Sequence, residues 1–215
     1  MTELSPRDAR TDRIISAALL RDTNVNVIGC GAVGRQVALQ LGAMGVGQIH
    51  LQDFDKIGEE NLGTQGWPRA KIGQYKVDAL EMEILKNSPD CRVIKSYEPF
   101  TEDSPRSWVV FACVDSLDVR RTIFNVGYIG RMFDARVAQE MVVVHSFAKN
   151  SPTFEQHTGT DADTVVDDCT TRQTIYSAFI AASLLVQAYA NWLRDPTEEE
   201  VHLAFTGSCF HLQNL

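Results

Sequence analysis

No Cys-x-x-Cys pair occurs in this chain. Its five cysteines, Cys30, Cys91, Cys113, Cys169 and Cys209, are odd in number and widely spaced, so neither a disulfide framework nor a structural zinc site of paired cysteines is expected. Long apolar runs are missing as well. No stretch reaches about 18 uninterrupted apolar residues, and no membrane partner is expected. Charged residues from Glu3 to Arg13 precede any apolar run, which excludes a secretory signal and makes a reducing cytoplasm the expected location. Basic residues are few: 20 against 28 acidic ones, a formal charge of −8. That balance argues against a nucleic-acid partner, because phosphate attraction needs a basic field. Internal repeats and low-complexity tracts are absent. What is left is an ordinary globular composition, 44% hydrophobic over 215 residues, the size of one domain.

The pattern along the chain is α/β. Residues 1–22 form an N-terminal helical segment whose apolar positions are Ile14, Ile15, Ala18 and Leu19. Val25 to Ile28 is a β-branched strand, Gly29 to Gly34 a glycine-rich turn, and Gln36 to Met44 has helical periodicity. Gln48 to Phe54 alternates toward a second strand. A polar loop from Lys56 to Arg69 precedes a helix over Gln74 to Lys86, stopped by Asn87-Ser88-Pro89. Strands are expected at Arg92 to Tyr97 and Trp108 to Val114, the latter a continuous apolar run typical of a strand buried on both faces. A helix over Val119 to Ile129 follows, then strands from Arg131 and from Met141 to Phe147. The composition of 148–171 is that of a long flexible loop. Ile175 to Leu193 reads as a buried central helix and Val201 to Phe210 as a final strand. This order predicts a mostly parallel sheet.

The chemistry starts at Gly29-Cys30-Gly31-Ala32-Val33-Gly34. The G-x-G-x-x-G spacing between strand and helix lets phosphate oxygens approach backbone N–H groups at the helix N-terminus. Asp53, about twenty residues on, suits a ribose hydroxyl. By themselves these features fit NAD, FAD or ATP equally, and a glycine turn that serves only helix packing is the plainer alternative.

Further motifs separate these ligands. The pair Arg10 and Arg13, Asp53-Phe54-Asp55, Asn61-Leu62-Gly63-Thr64-Gln65, Ile72-Gly73-Gln74-Tyr75-Lys76, the strand end Ala112-Cys113-Val114-Asp115 with Arg120, Asp134-Ala135-Arg136 and Cys169-Thr170-Thr171-Arg172 follow one another. Together they resemble the ThiF and MoeB family, the adenylyltransferase core shared with ubiquitin-activating enzymes. The resemblance implies a Rossmann-like, doubly wound sheet with an antiparallel C-terminal portion in a single adenylation domain over 1–215. It also implies an ATP-dependent, Mg²⁺-dependent adenylyltransferase. Its substrate would be a carboxylate, foremost the C-terminus of a small ubiquitin-like or sulfur-carrier protein or a peptide, activated as acyl-AMP with release of pyrophosphate. Gly29, Gly31, Gly34, Asp53, Asp55, Asn61 and Lys76 would bind the nucleotide and Asp115 the Mg²⁺. Arg13 would reach a partner subunit's site in a homodimer.

That assignment is chemically coherent, since adenylation must screen concentrated negative charge and hold two reactants in line. Each residue also has a plainer role: Asp115 as a helix cap, Lys76 as a solvated lysine, Arg13 as part of a charged helix face, Asn61 as a turn cap. Thr64 stands where the family carries an arginine, with Arg69 and Lys71 the nearby cations. Cys169 is the candidate acceptor of the activated acyl group. Arg172 and a helix start favour its thiolate, and Asp167 and Asp168 oppose it. Two other functions stay open: a NAD-dependent oxidoreductase, for which the five histidines look too scattered, and a nucleotide-binding pseudoenzyme of the same family.

Overall fold

The computed structural model describes residues 8–138, 140–158, 174–197, 199–206 and 209–211. Strands β1 (Asn24–Ile28), β2 (Gln48–Gln52), β3 (Arg92–Ser96), β4 (Ser107–Ala112) and β5 (Tyr128–Ala138) are parallel. Three antiparallel strands extend the sheet: β6 (Met141–Ala148), β7 (His202–Thr206) and β8 (Cys209–His211). The order is β3-β2-β1-β4-β5-β6-β7-β8. The chain therefore reverses its winding between β1 and β4, the switch point where open α/β sheets carry their ligands.

One face of the sheet is covered by α2 (Ala32–Met44), α4 (Lys76–Asn87) and the long α7 (Ile175–Arg194). Val37 and Leu41 of α2, Leu80 and Ile84 of α4 and Leu185 and Tyr189 of α7 fill that core against Val27, Leu51 and Phe111. The other face is covered more thinly, with Phe100, Ile123 and Phe154 packed on Ile28, Val110, Met132 and Phe147. Its elements are α5 (Leu117–Thr122), a π-turn at Ile123–Gly127 and the short α6 (Phe154–Thr158).

Several expectations are corrected. The N-terminal segment holds only a five-residue helix, α1 (Ala17–Arg21), and turns its Ile15, Ala17 and Leu20 inward while Ile14 and Leu19 face solvent. Capping by Ser16 starts the helix later than the apolar spacing suggested and rotates the buried stripe by one residue. The polar loop after β2 contains α3 (Glu60–Gln65). The helix expected over Val119 to Ile129 ends early, because Ile123 turns into the second core and β5 already begins at Tyr128. The segment 148–171 includes α6, and α7 is amphipathic, with Tyr176 and Phe179 exposed. The last strand is two, β7 and β8. Among the described residues no helix is long and apolar enough to cross a membrane.

Candidate active site

A cleft of about 470 Å³ opens at the C-terminal ends of the parallel strands, beside the switch point. Its floor is the turn from β1 into α2. Gly29 adopts φ +87°, where a side chain would be strained and would meet the Cys113 carbonyl oxygen at 2.4 Å. At Gly34 an added Cβ would lie 1.8 Å from the Gly29 carbonyl oxygen. These two glycines let the helix start directly on the strand. Gly31 differs: its open side meets only the Gln65 amide, at 3.8 Å. Free space over the N-terminus of a thirteen-residue helix is where backbone N–H groups receive a phosphate.

Asp53 braces this turn. Its Oδ2 accepts the Cys30 N–H at 2.7 Å and its Oδ1 accepts the Asp55 N–H at 2.8 Å. Burial pushes its carboxyl up from the ordinary aspartate range, and the Lys76 ammonium pulls it back. Asp53 therefore lines the cleft but spends an acceptor site of each oxygen on the backbone.

Lys76 is 6% exposed, so it is not a solvated surface lysine. Its ammonium donates to Asp55 Oδ2 at 2.7 Å, and its N–H donates to the Asp55 carbonyl at 3.0 Å. The Ile57 N–H bonds Gln74 and the Gly73 N–H bonds Ile57, which pins the loop after β2 along the start of α4. Asn61 does cap a turn, accepting the Gly58 N–H at 2.9 Å, and also lines the cleft.

On the opposite wall Asp115 is exposed and lines the cleft. It is not the cap of α5. That role belongs to Ser116, whose Oγ accepts the Val119 N–H at 3.3 Å. Among the described residues no hydrogen bond or ion pair occupies the Asp115 carboxylate. An exposed oxygen donor at the rim of a phosphate-sized space suits a hard cation such as Mg²⁺.

Residues without an assigned role in the sequence reading complete the cleft. Arg120, 6% exposed, ion-pairs with Asp134 and donates to the carbonyls of Val114 and Ala135. It thus locks the turn carrying Asp115 onto β5. Arg136, whose Nε lies 3.4 Å from Asp134 Oδ2, adds a second buried guanidinium to the wall. Both arginines belong to motifs legible in the sequence, but only the fold turns them toward one cleft. Arg35 donates to the Gln65 carbonyl at 3.3 Å and stacks over Trp67, which holds α3 over the glycine turn.

Other expected residues are elsewhere. Arg13 is exposed and does not line the cleft of its own chain. The N-terminal segment packs where β1 and β2 begin, through Gly47 N–H to Leu20 O and Gln48 N–H to Thr23 O, at the far end of the sheet. Thr64 donates back to the Glu60 carbonyl at 3.3 Å. Arg69 pairs with Glu59 at the surface and Lys71 lies against Met82, so neither cation replaces the missing arginine in the cleft. Cys169 and Arg172 lie outside the described residues. The histidines are not all scattered: His145, His157 and His202 cluster on the thinly covered face.

Comparison with known proteins gives this geometry a context. The model of the ThiF family matches residues 14–208. The molybdopterin-synthase adenylyltransferase of Salmonella typhimurium is 27% identical over 145 residues, 63% of this chain and 58% of that protein. The tRNA threonylcarbamoyladenosine dehydratase of Bacillus subtilis is 31% identical over 105 residues, 48% of this chain and 41% of that protein. The chain thus spans little more than half of these relatives at most. A crystal structure of E. coli MccB with ATP superposes with a TM-score of 0.77, covering 98% of this chain and 71% of that one. At 15% identity that likeness is one of fold.

Proposed function

Since this chain belongs to the ThiF family, we propose that it is an ATP-dependent adenylyltransferase that activates a carboxylate as acyl-AMP and releases pyrophosphate. The observation that carries this reading is the convergence on one cleft of the open side of Gly31, the buried ammonium of Lys76 and the exposed carboxylate of Asp115.

The geometry supports the following roles. Backbone N–H groups of the Gly29 to Gly34 turn and the N-terminus of α2 hold phosphate oxygens, with Asn61 and Gln65 at the rim. Asp53, braced on the turn, and the half-exposed Asp55 take the ribose hydroxyls. Lys76 lies against Asp55 in the resting site and swings its ammonium toward phosphate charge when nucleotide enters. Asp115 would hold Mg²⁺, which when bound screens the triphosphate and favours departure of pyrophosphate. Arg120 and Arg136 supply positive potential behind the α-phosphate, where charge builds in the transition state. The incoming carboxylate attacks the α-phosphorus, the bond to the bridging oxygen breaks, and pyrophosphate leaves toward Lys76 and Asp115.

The substrate class we favour is the flexible C-terminus of a small ubiquitin-like or sulfur-carrier protein, or a peptide, because a cleft open at the C-terminal ends of the strands admits an extended tail. The surplus of acidic residues weighs against tRNA as the substrate. Arg13 acts across a homodimer; its exposure and its place at the far end of its own sheet agree with service to a partner. Cys169 is proposed as the acceptor of the acyl group, with Cys169→Ala expected to keep acyl-AMP formation and lose the thioester.

Pyrophosphate exchange into ATP tests the reading. Exchange that requires a Gly-Gly-terminated protein or peptide and disappears in Asp115→Ala is the expected result. ATP binding without exchange in the presence of any carboxylate substrate would mark a pseudoenzyme, and NAD binding in place of ATP an oxidoreductase.

A further inference from the structure

His145 sits on β6 and His202 opposite it on β7, paired in register across the antiparallel extension. His157 comes from α6, which packs through Phe154 onto Phe147 and Phe124. The three imidazoles are brought together from positions 145, 157 and 202, and one ring nitrogen of each lies within 4.8 Å of the others. His145 Nδ1 and His202 Nδ1 are 2.9 Å apart, and the His157 and His202 rings stack at 4.0 Å between centroids. His145 and His202 are buried and His157 is partly open to solvent.

Such a cluster has no use as three cations. Burial lowers His145 to about 2, with the His157 and His202 rings adding to the effect; burial also holds His157 and His202 below the ordinary histidine range, helped by the Arg136 guanidinium at His157 and by the His157 ring at His202, while Glu200 opposes both. Neutral imidazoles expose lone pairs, the form in which histidine binds metal. Three nitrogens around a tetrahedral zinc at about 2.0–2.1 Å would stand about 3.3 Å apart. The observed spacing brackets that value, and imidazole rotation about χ2 is soft enough to reach it.

Glu200 adds an outer-shell partner. Its Oε2 lies 3.8 Å from His202 Nε2, leaving Nδ1 of that ring for the ion. The Glu200 carboxylate is itself fixed by Ser151, Thr153 and the Ala148 N–H, at 2.8, 2.6 and 2.8 Å. At 3.8 Å it makes no hydrogen bond to His202 yet, but it stands where a carboxylate behind a ligating histidine, once within hydrogen-bond reach, sets ring orientation. Toward the cleft, Asp134 pairs with His145 across β5 and β6 and balances Arg120 and Arg136 on that side.

We propose that His145, His157 and His202 form a binding site for a zinc-class transition-metal ion, distinct from the Mg²⁺ position at Asp115, that clamps α6 onto the antiparallel end of the sheet. Three protein ligands leave a fourth position for water on the exposed His157 side. The zinc site of paired cysteines that the sequence gives no reason to expect is a different site, and the histidine site stands whether or not the cleft adenylates a carboxylate.

Cobalt(II) titration of the chelator-treated full chain tests this. Expected are one equivalent of Co²⁺ bound, visible bands of a four-coordinate nitrogen site, displacement by Zn²⁺, and protection of the 154–158 segment from proteolysis. His157→Ala should weaken binding about tenfold or more and abolish the protection. His157 is partly exposed on a short helix, so this variant should fold, and its metal-free melting temperature checks that it does; His202→Gln repeats the test from the sheet side. Absence of stoichiometric binding, bands of thiolate ligation, or affinity unchanged in a folded His157→Ala would overturn the site.

Discussion

The glycine turn offers a sharp separation of folding from binding, because two of its glycines are required for different reasons. In Gly34→Ala the new Cβ would fall 1.8 Å from the Gly29 carbonyl oxygen and 2.9 Å from its carbon, where ordinary contact begins at 3.4 Å. One backbone must move by more than an ångström. Gly29 cannot yield easily, since its N–H bonds the Gln52 carbonyl at 2.9 Å and the Cys113 N–H holds the carbonyl of the preceding Ile28 at 2.8 Å. Overpacking of this kind costs about 3 kcal/mol, at the upper end of the usual range, equivalent to a drop of roughly 6–12 °C in a chain of this size. Gly31→Ala meets nothing closer than the Gln65 amide at 3.8 Å and forfeits only the helix-start preference, about 0.5–1 kcal/mol. Its methyl group occupies the space assigned to phosphate, so ATP affinity should fall about tenfold or more, about 1.4 kcal/mol. Thermal melts paired with ATP titration calorimetry decide the matter. A Gly31→Ala protein that binds ATP like wild type would refute the phosphate position, and a Gly34→Ala protein melting within a degree or two of wild type would refute the packing account.

Asp115→Ala should abolish Mg²⁺-dependent exchange while changing stability by less than about 0.5 kcal/mol, because the carboxylate is exposed. Ser116→Ala should do the reverse: losing the α5 cap costs about 1 kcal/mol, read as a 2–4 °C lower melt with exchange retained. Equal effects of the two on exchange would undo the division of labour. Arg13→Ala should be inactive alone, yet mixing it with Asp115→Ala should restore about a quarter of wild-type exchange, since half the dimers pair the two variants and each regains one intact site; no recovery on subunit exchange argues against action across the dimer. Burial raises the Cys30 thiol well above its ordinary range and lifts Cys113 to about 12, so peptides carrying them should stay unmodified by iodoacetamide at pH 8 in the native protein. Rapid native-state labelling of either would mean that the switch-point turn opens.

Local chemistry made much of this protein readable in one dimension. Strand, glycine turn and helix are set by nearest neighbours: β-branched residues at 25–28, glycines where φ is positive or backbones touch, and helical spacing through α2, α4 and α7. Asp53 can be singled out from its distance to the glycine turn, whereas Lys76 and Asp115 are singled out only through motifs that resemble those of the family. Boundaries failed where a single capping residue or a buried apolar side chain outweighed periodicity, as at Ser16, Ser116 and Ile123. Pairing across the sheet lay beyond sequence spacing altogether. Only the register β5–β6–β7 aligns Asp134, His145 and His202 in one row, turning histidines that look scattered into a cluster. Only the reversal of winding between β1 and β4 carries Arg120 and Arg136 to the cleft and leaves Arg13 at the other end. Sequence determines what each segment tends to become, because those preferences are paid within a few residues; which distant side chains meet depends on long-range strand order, and that is decided by burying both faces of the whole sheet at once.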